Sequence, residues 1–206
     1  MKDEVIDLRN TPLISPQSIR SPKYALRDFA GILVLNGEIV LRTNKLAHDI
    51  QNDYESKKLV LVGVLDGSVH FIKDLSEGIG IPIKRTFIKV SSYRDNTTSG
   101  EIELHLNPMI NLNGMDVLIV EDIVDSGKTL QFIIDEIKQK FNPNTVKTCS
   151  LLDKAEKRAP GFENVVADYT GFIIPDEFVV GYGLDFADNY RGYRHIAVLK
   201  PEVFSK

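Results

Sequence analysis

The sequence predicts an α/β fold with a mostly parallel central sheet and helices on both of its faces. Three observations predict it. Strand-length apolar runs alternate along the chain with segments of helical periodicity. Several of those runs are apolar throughout, as strands covered on both faces must be. With 206 residues and 43% apolar content, the chain is long enough to bury one substantial core.

The elements follow in order. "GILVL" (31–35) reads as a strand, and 38–54 carries Ile39, Leu46, Ala47, Ile50 and Tyr54 at helical spacing. "LVLVGVL" (59–65) is a buried strand, followed by a helix from about Ser68 to Glu77 with Phe71, Ile72 and Leu75 inward. "IKRTFIKV" (83–90) is the next strand, and "EIELHL" (101–106) alternates with period two, as a half-exposed strand does. "MDVLIV" (115–120) is continuously apolar; the helix after it places Leu130, Ile133, Ile134, Ile137 and Phe141 on one face, and "TVKTCSLL" (145–152) follows as a strand. No repeat or linker divides the chain, so 1–206 reads as one domain. In such a sheet ligands bind beyond the carboxyl ends of the strands, which singles out the loops after Leu65, Val90, Val120 and Leu152 and the late "FVVGYGLD".

Composition narrows the partner. A net charge of −4 over mixed-sign segments offers no basic footprint for nucleic acid and no polybasic membrane anchor. The apolar runs are far shorter than a membrane span, and "MKDEVIDLRN" has no signal-peptide pattern. The reading is a cytoplasmic protein with a small-molecule partner. Cys149, the single cysteine, lies in an apolar-bounded run and reads as a buried structural thiol.

The most informative stretch is "VLIVEDIVDSGKTL" (117–130). Ser126, Gly127, Lys128 and Thr129 directly precede a helix, where free amides and the helix dipole form an anion cradle. Ser126 or Thr129 capping an ordinary helix explains the same pattern. A nucleotide-triphosphatase loop is excluded, because its motif needs a glycine where this chain has Asp122. Three acids, Glu121, Asp122 and Asp125, crowd the same turn. Carboxylates beside an anion cradle suit a sugar phosphate: Glu121 and Asp122 can accept from a ribose diol while the amides hold its phosphate. A divalent cation chelated largely by substrate oxygens would reduce the charge repulsion.

"EDIVDSGKT" resembles the diphosphoribose-binding motif of the type I phosphoribosyltransferases. "VLDGSVHF", "SSYRDNTTSGEIEL", "SLLDK" and "IPDEFVVGYGLDFADNYR" appear in the order found in the hypoxanthine-guanine phosphoribosyltransferases, so the resemblance spans roughly 30–200. It implies the type I fold, with a core at about 30–175 and a small hood formed by the terminal segments, about 1–30 and 176–206. It also implies purine salvage, in which the phosphoribosyl group of phosphoribosyl pyrophosphate passes to hypoxanthine or guanine, with Mg2+ as cofactor and a homodimer or homotetramer as the assembly.

The resemblance also assigns roles. Asp125 matches the proton acceptor near the imidazole side of the purine, a role that suits a carboxylate; a helix cap is the alternative. Glu121, Asp122, Ser126, Gly127, Lys128 and Thr129 match the phosphoribosyl site. Lys154 matches the donor to the exocyclic oxygen of a 6-oxopurine, although a lysine after a strand is more often a solvated charge. Phe178 would stack on the purine, and the Val179 backbone would bond its Watson–Crick edge. Asp185 goes with these purine-side residues and matches the direct metal ligand, with Glu121 and Asp122 as further metal-side carboxylates; these hard oxygen donors point to magnesium. Arg191 matches the cation on pyrophosphate, and Ser92 and Tyr93 match the lid that closes over it.

Asp66, before Gly67, departs from the family pattern, which often has Lys or Arg there. The pyrophosphate loop is expected to work through backbone amides and a cis peptide at Leu65–Asp66, with the Asp66 side chain turned outward. The alternatives are a transferase for xanthine or uracil, a pyrimidine-operon RNA-binding regulator on the same fold, or more distantly a sugar-phosphate kinase or pyrophosphate transferase.

Overall fold

The computed structural model describes residues 5–92, 102–106 and 111–205. The strands are β1 (Ile6–Asp7), β2 (Phe29–Val34), β3 (Leu59–Leu65), β4 (Ile83–Ser92), β5 (Ile102–Leu106), β6 (Asp116–Val124), β7 (Thr145–Asp153), β8 (Tyr169–Ile173), β9 (Val179–Val180) and β10 (Ile196–Leu199). The helices are α1 (Lys23–Asp28), α2 (Asn36–Asp53), α3 (Val69–Gly78), α4 (Lys128–Lys140) and α5 (Pro201–Phe204).

Seven strands form the large sheet in the order β1-β8-β7-β6-β3-β4-β5, and every pairing is parallel except β5 with β4. The strand alternation sorts the core into two layers. Leu59 and Leu61 of β3 face Ile39, Ala47 and Ile50 of α2 and Phe71, Ile72 and Leu75 of α3. Val60, Val62 and Val64 face Leu130, Ile133 and Ile137 of α4. A strand of period two that is apolar at every position can serve both layers at once. Each such fully buried Leu or Ile contributes roughly 1.5–3 kcal/mol. Arg42 fastens α2 to β8, donating to the carbonyls of Gly171 at 2.9 Å and Thr170 at 2.8 Å.

The remaining strands form a small antiparallel sheet, β2-β10-β9. "GILVL", expected as one of the buried strands of the main sheet, belongs here instead, pairing with β10. The terminal segments divide between the two sheets: Ile6–Asp7 pairs with Phe172–Ile173 at the edge of the large one. Helix α2 begins at Asn36, two residues ahead of the expected start, where the Glu38 carboxylate accepts the Leu35 amide at 2.7 Å.

After β3 the chain goes to β4 on one side and then comes back to β6 on the other. That reversal opens a crevice beyond the carboxyl ends of β3 and β6, the topological switch point at which such sheets bind ligands.

Candidate functional site

The crevice is lined by the loop after β3 and the end of β6. β6 does not stop at Val120, as its apolar run suggested. Pairing with β3 ends at Gly63↔Val120, but β7 continues alongside it through Val124↔Asp153. Glu121 and Asp122 are therefore strand residues and point to opposite faces. Glu121 is buried, and its Oε2 has no hydrogen-bond partner. Burial, reinforced by neighbouring Asp122, pushes its pKa well above the ordinary carboxylate value. Burial raises Asp122 to about 6, against the opposing pull of its own backbone bonds and Arg191. Its Oδ1 accepts the Ile123 amide at 2.9 Å. Its other oxygen lies against Gly67: a Cβ there would stand 1.6 Å from Asp122 Oδ2.

The loop after β3 carries the expected cis peptide at Leu65–Asp66, and Asp66 is exposed. Gly183 crosses this loop at φ 105°, and a Cβ on it would meet the Gly67 carbonyl oxygen at 2.1 Å, so only glycine allows the approach. Next to Gly183, Tyr182 donates its hydroxyl to Asp74 of α3 at 2.7 Å, which ties the "GYGLD" segment to the helix that follows the loop. Arg191 donates to the Gly183 carbonyl at 2.8 Å and pairs with Asp185 at 2.8 Å, while the other Asp185 oxygen accepts the Asp188 amide at 2.8 Å. These bonds hold Arg191 and Asp185 together beside the Gly67 loop. Ser92 ends β4, and Tyr93 lies outside the described residues.

Beyond β6, Gly127 occupies the N-cap of α4 at φ 81°, a conformation that favours glycine. The cap is thus Gly127 rather than Ser126 or Thr129. Ser126 Oγ reaches only the Lys128 amide, at 3.4 Å. Beyond that long contact no side chain satisfies the first turn, and its remaining amides stay available to an anion. Lys128 is exposed and Thr129 half-buried.

Asp125 has one oxygen tied and one free. Oδ2 pairs with Lys157 at 3.1 Å, and Oδ1 is buried with no hydrogen-bond partner. Lys154 is buried at 6% exposure rather than solvated; its amide donates to the Val124 carbonyl at 2.9 Å, and its ammonium lies 3.4 Å from Asp176. Arg158 binds this region from behind. Its Nη1 lies within bonding distance of the carbonyls of Val124 (3.2 Å), Asp125 (2.7 Å) and Lys154 (3.2 Å). Its Nε donates to Val165 O at 2.8 Å, and Nη2 pairs with Asp153 at 2.6 Å. Lys157, Arg158, Asp176 and Tyr182 were not singled out in the sequence. The charge density of "DKAEKR" was a signal for the first two, but surface loops carry the same signal.

On the hood side, Phe178 is 36% exposed and is backed by Phe204, stacked at 4.9 Å, and by Phe186, edge-on at 5.5 Å. Leu199 donates to the Phe178 carbonyl at 2.8 Å, and Val179 stands opposite Val198. In antiparallel pairing the bonded and non-bonded positions alternate, so the Val179 N–H and C=O point away from β10, toward the open edge of the sheet.

Glu121, Asp122 and Asp185 do not gather into one ligand cluster: among the described residues no three His, Cys, Asp or Glu side chains form a group able to hold a metal. Asp185 is committed to Arg191 and Asp122 turns to Gly67, so the expected three-carboxylate metal set is not assembled by the protein alone. The donors are nonetheless hard oxygens, and Glu121 Oε2 is an unsatisfied one; this fits Mg2+ that takes most of its ligands from substrate and water. Cys149 is buried, and burial raises its thiol pKa far out of the nucleophilic range. Among the described residues no helix is long and apolar enough to cross a membrane.

A parallel α/β sheet whose switch point combines an uncapped helix start with buried, unsatisfied carboxylates defines a class that binds phosphorylated sugars. The model of the phosphoribosyl transferase domain matches residues 33–187. A hypoxanthine-guanine phosphoribosyltransferase of Streptococcus pyogenes is 41% identical over 181 residues, covering 87% of this chain and 98% of that protein. A crystal structure of a hypoxanthine phosphoribosyltransferase from Staphylococcus aureus superposes with a TM-score of 0.81 at 37% identity, over 89% of this chain and 98% of the other. A hypoxanthine phosphoribosyl transferase structure from Trypanosoma cruzi gives a TM-score of 0.80 at 38% identity, over 91% and 97% of the two chains. The chain belongs to the phosphoribosyltransferase family, in its hypoxanthine-guanine branch.

Proposed function

We propose that the protein transfers the 5-phosphoribosyl group of phosphoribosyl pyrophosphate to hypoxanthine or guanine, releasing pyrophosphate, and so serves purine salvage. The observation that carries this reading is the buried, partnerless Glu121 Oε2 beside the open first turn of α4. An unsatisfied buried acceptor calls for a donor, and a ribose hydroxyl supplies one while the sugar's phosphate takes the helix amides. A nucleotide-triphosphatase loop does not fit, because Asp122 stands where its motif needs glycine.

In this reading the purine nitrogen attacks the anomeric carbon of the ribose, and the bond from that carbon to the pyrophosphate oxygen breaks. Asp125 takes the proton leaving the imidazole side of the base on its free Oδ1. Lys154 donates to the exocyclic oxygen of the base; a lysine cannot accept from an amino group, which disfavours adenine. Phe178 stacks on the purine, and the outward backbone of Val179 bonds its Watson–Crick edge. Gly67 and Arg191 hold the pyrophosphate through backbone amides and charge, with Asp66 turned away, and Ser92 and Tyr93 close over it. Mg2+ would take most of its ligands from substrate oxygens and water, with Asp185 as its direct carboxylate and Glu121 and Asp122 supplying negative charge on the metal side, and would neutralise charge on the leaving group. We further propose cytoplasmic residence and a homodimer or homotetramer, for which the exposed Val69 and Phe87 offer apolar surface.

The test is formation of nucleotide and pyrophosphate from phosphoribosyl pyrophosphate, hypoxanthine and Mg2+, and its loss by about two to four decades in turnover on Asp125→Asn. Turnover with xanthine or uracil but not hypoxanthine would favour the other base preferences and refute this one.

A further inference from the structure

Four charges alternate across the loops that follow β6, β7 and β8. Asp125 Oδ2 lies 3.1 Å from Lys157 Nζ, Lys157 Nζ lies 3.3 Å from Asp176 Oδ1, and the same Asp176 oxygen lies 3.4 Å from Lys154 Nζ. Lys157 is thus the only residue of the chain of charges that touches Asp125, and Asp176 is shared between both lysines. Burial works against the Lys157 ammonium, but its two carboxylates outweigh burial and raise its pKa. Burial also works against the Asp176 carboxylate, but Lys157 and Lys154 outweigh it and lower its pKa. The two middle members, Lys157 and Asp176, are therefore held in their charged forms by their neighbours.

The ends of the chain are the two groups placed at opposite edges of the purine. Asp125 is the proton acceptor on the imidazole side, and Lys154 is the donor to the exocyclic oxygen. Lys157 engages Oδ2 of Asp125, which leaves Oδ1 as the free, buried acceptor. The Arg158 guanidinium fixes the backbone of the same loops and the Asp153 carboxylate, but it makes no bond to the Asp125 side chain. Side-chain orientation at Asp125 thus falls to Lys157.

We propose that Lys157 and Asp176 are positioning residues for the base: a bridge that orients Asp125 and Lys154 at the spacing of a 6-oxopurine before it binds. This rests on the proposed transferase reading. Neither residue touches the phosphoribosyl side, so the effect is specific to the purine substrate. The bridge is half exposed, with side-chain exposures of 43% for Lys157 and 52% for Asp176, so its effect is that of a partly screened ion pair.

The test is steady-state kinetics of the full chain with Mg2+, varying hypoxanthine and phosphoribosyl pyrophosphate separately. Lys157→Met should raise KM for hypoxanthine about fivefold, with KM for phosphoribosyl pyrophosphate within about 1.5-fold of the parent. Lys157→Arg, which keeps a cation within reach of both carboxylates, should restore KM to within about twofold. Asp176→Asn should behave like Lys157→Met, and the double variant should lie within about twofold of the worse single one, because both remove one bridge. Thermal melts confirm that each variant is folded; the exposed position of both residues keeps them out of the core. An unchanged KM for hypoxanthine in Lys157→Met, an equal rise for both substrates, or full additivity of the two substitutions overturns the proposal. If the parent chain forms no nucleotide from hypoxanthine, the transferase reading itself falls, which is a separate outcome from an active parent with an unaffected Lys157→Met.

Discussion

Arg158→Met removes the side chain on which the loops after β6 and β7 converge. Arg158 and Asp153 each have 4% side-chain exposure, and they pair at 2.6 Å. The same guanidinium contacts the carbonyls of Val124, Asp125, Lys154 and Val165. Methionine fills much of the volume but leaves the Asp153 carboxylate buried without a partner. Breaking a buried pair from one side costs about 3–5 kcal/mol. Burial already holds the Asp153 pKa above its ordinary value even with Arg158 present, so in the variant Asp153 takes up a proton and the loss falls toward the lower end of that range. At this chain length 1 kcal/mol corresponds to roughly 2–4 °C. The expected drop in Tm at neutral pH is therefore about 6–12 °C. Adding Asp153→Asn to Arg158→Met should recover more than half of it, because the buried carboxyl that must be protonated at neutral pH is replaced by a neutral amide. A Tm within about 2 °C of the parent, or a double variant less stable than Arg158→Met, would refute the reasoning.

Two further outcomes follow from the geometry. Gly183→Ala should raise KM for phosphoribosyl pyrophosphate by about tenfold or more, since a Cβ at φ 105° would stand 2.1 Å from the Gly67 carbonyl and push the loop away; Gly192→Ala, with nothing within 4 Å of the new atom, is the neutral control, and equal KM values for the two variants would contradict the role of the close approach. In the absence of Mg2+ and substrate, Asp122→Asn should be stabilising relative to the parent, and more so at pH 8 than at pH 5. The folded Asp122 carboxyl, at about 6 against an ordinary 3.8, binds protons more tightly than the unfolded one, so its contribution to stability falls as pH rises through that window. The difference between variant and parent in urea melts isolates this group from His195, whose lowered pKa acts in the opposite direction; a difference that shrinks with rising pH would show the shift to have the other sign.

The parts of the fold that were legible were those with a strong period. β3, α3, β6 and α4 are long, apolar and regular, and each appeared within a few residues of its observed bounds. β1 and β9 were not legible because two-residue strands have no period, and β8 because "YTGFI" is short and carries no alternation. Nothing local tells that "GILVL" joins β10 rather than β3, since the choice is made by contacts distant in sequence. β6 outran its apolar run because β7 goes on pairing with it past the acids, so strand geometry, not loop geometry, aims Glu121 and Asp122. At the site, the residues that would touch substrate were readable as a motif. Those that hold the motif in place were not: Arg158 bonds mostly to carbonyls, and Lys157 and Asp176 become partners only when the loops after β6, β7 and β8 meet.

In the proposed function this crevice brings a 6-oxopurine to a phosphoribosyl group, and Lys154 chooses the base. Its most direct test is the ratio of kcat/KM for hypoxanthine to that for adenine, measured with saturating phosphoribosyl pyrophosphate and Mg2+ by pyrophosphate release. Because a buried ammonium has no acceptor for an amino group, the expected ratio is at least about a thousandfold. A ratio near one, or a preference for adenine, would show that Lys154 does not choose the base.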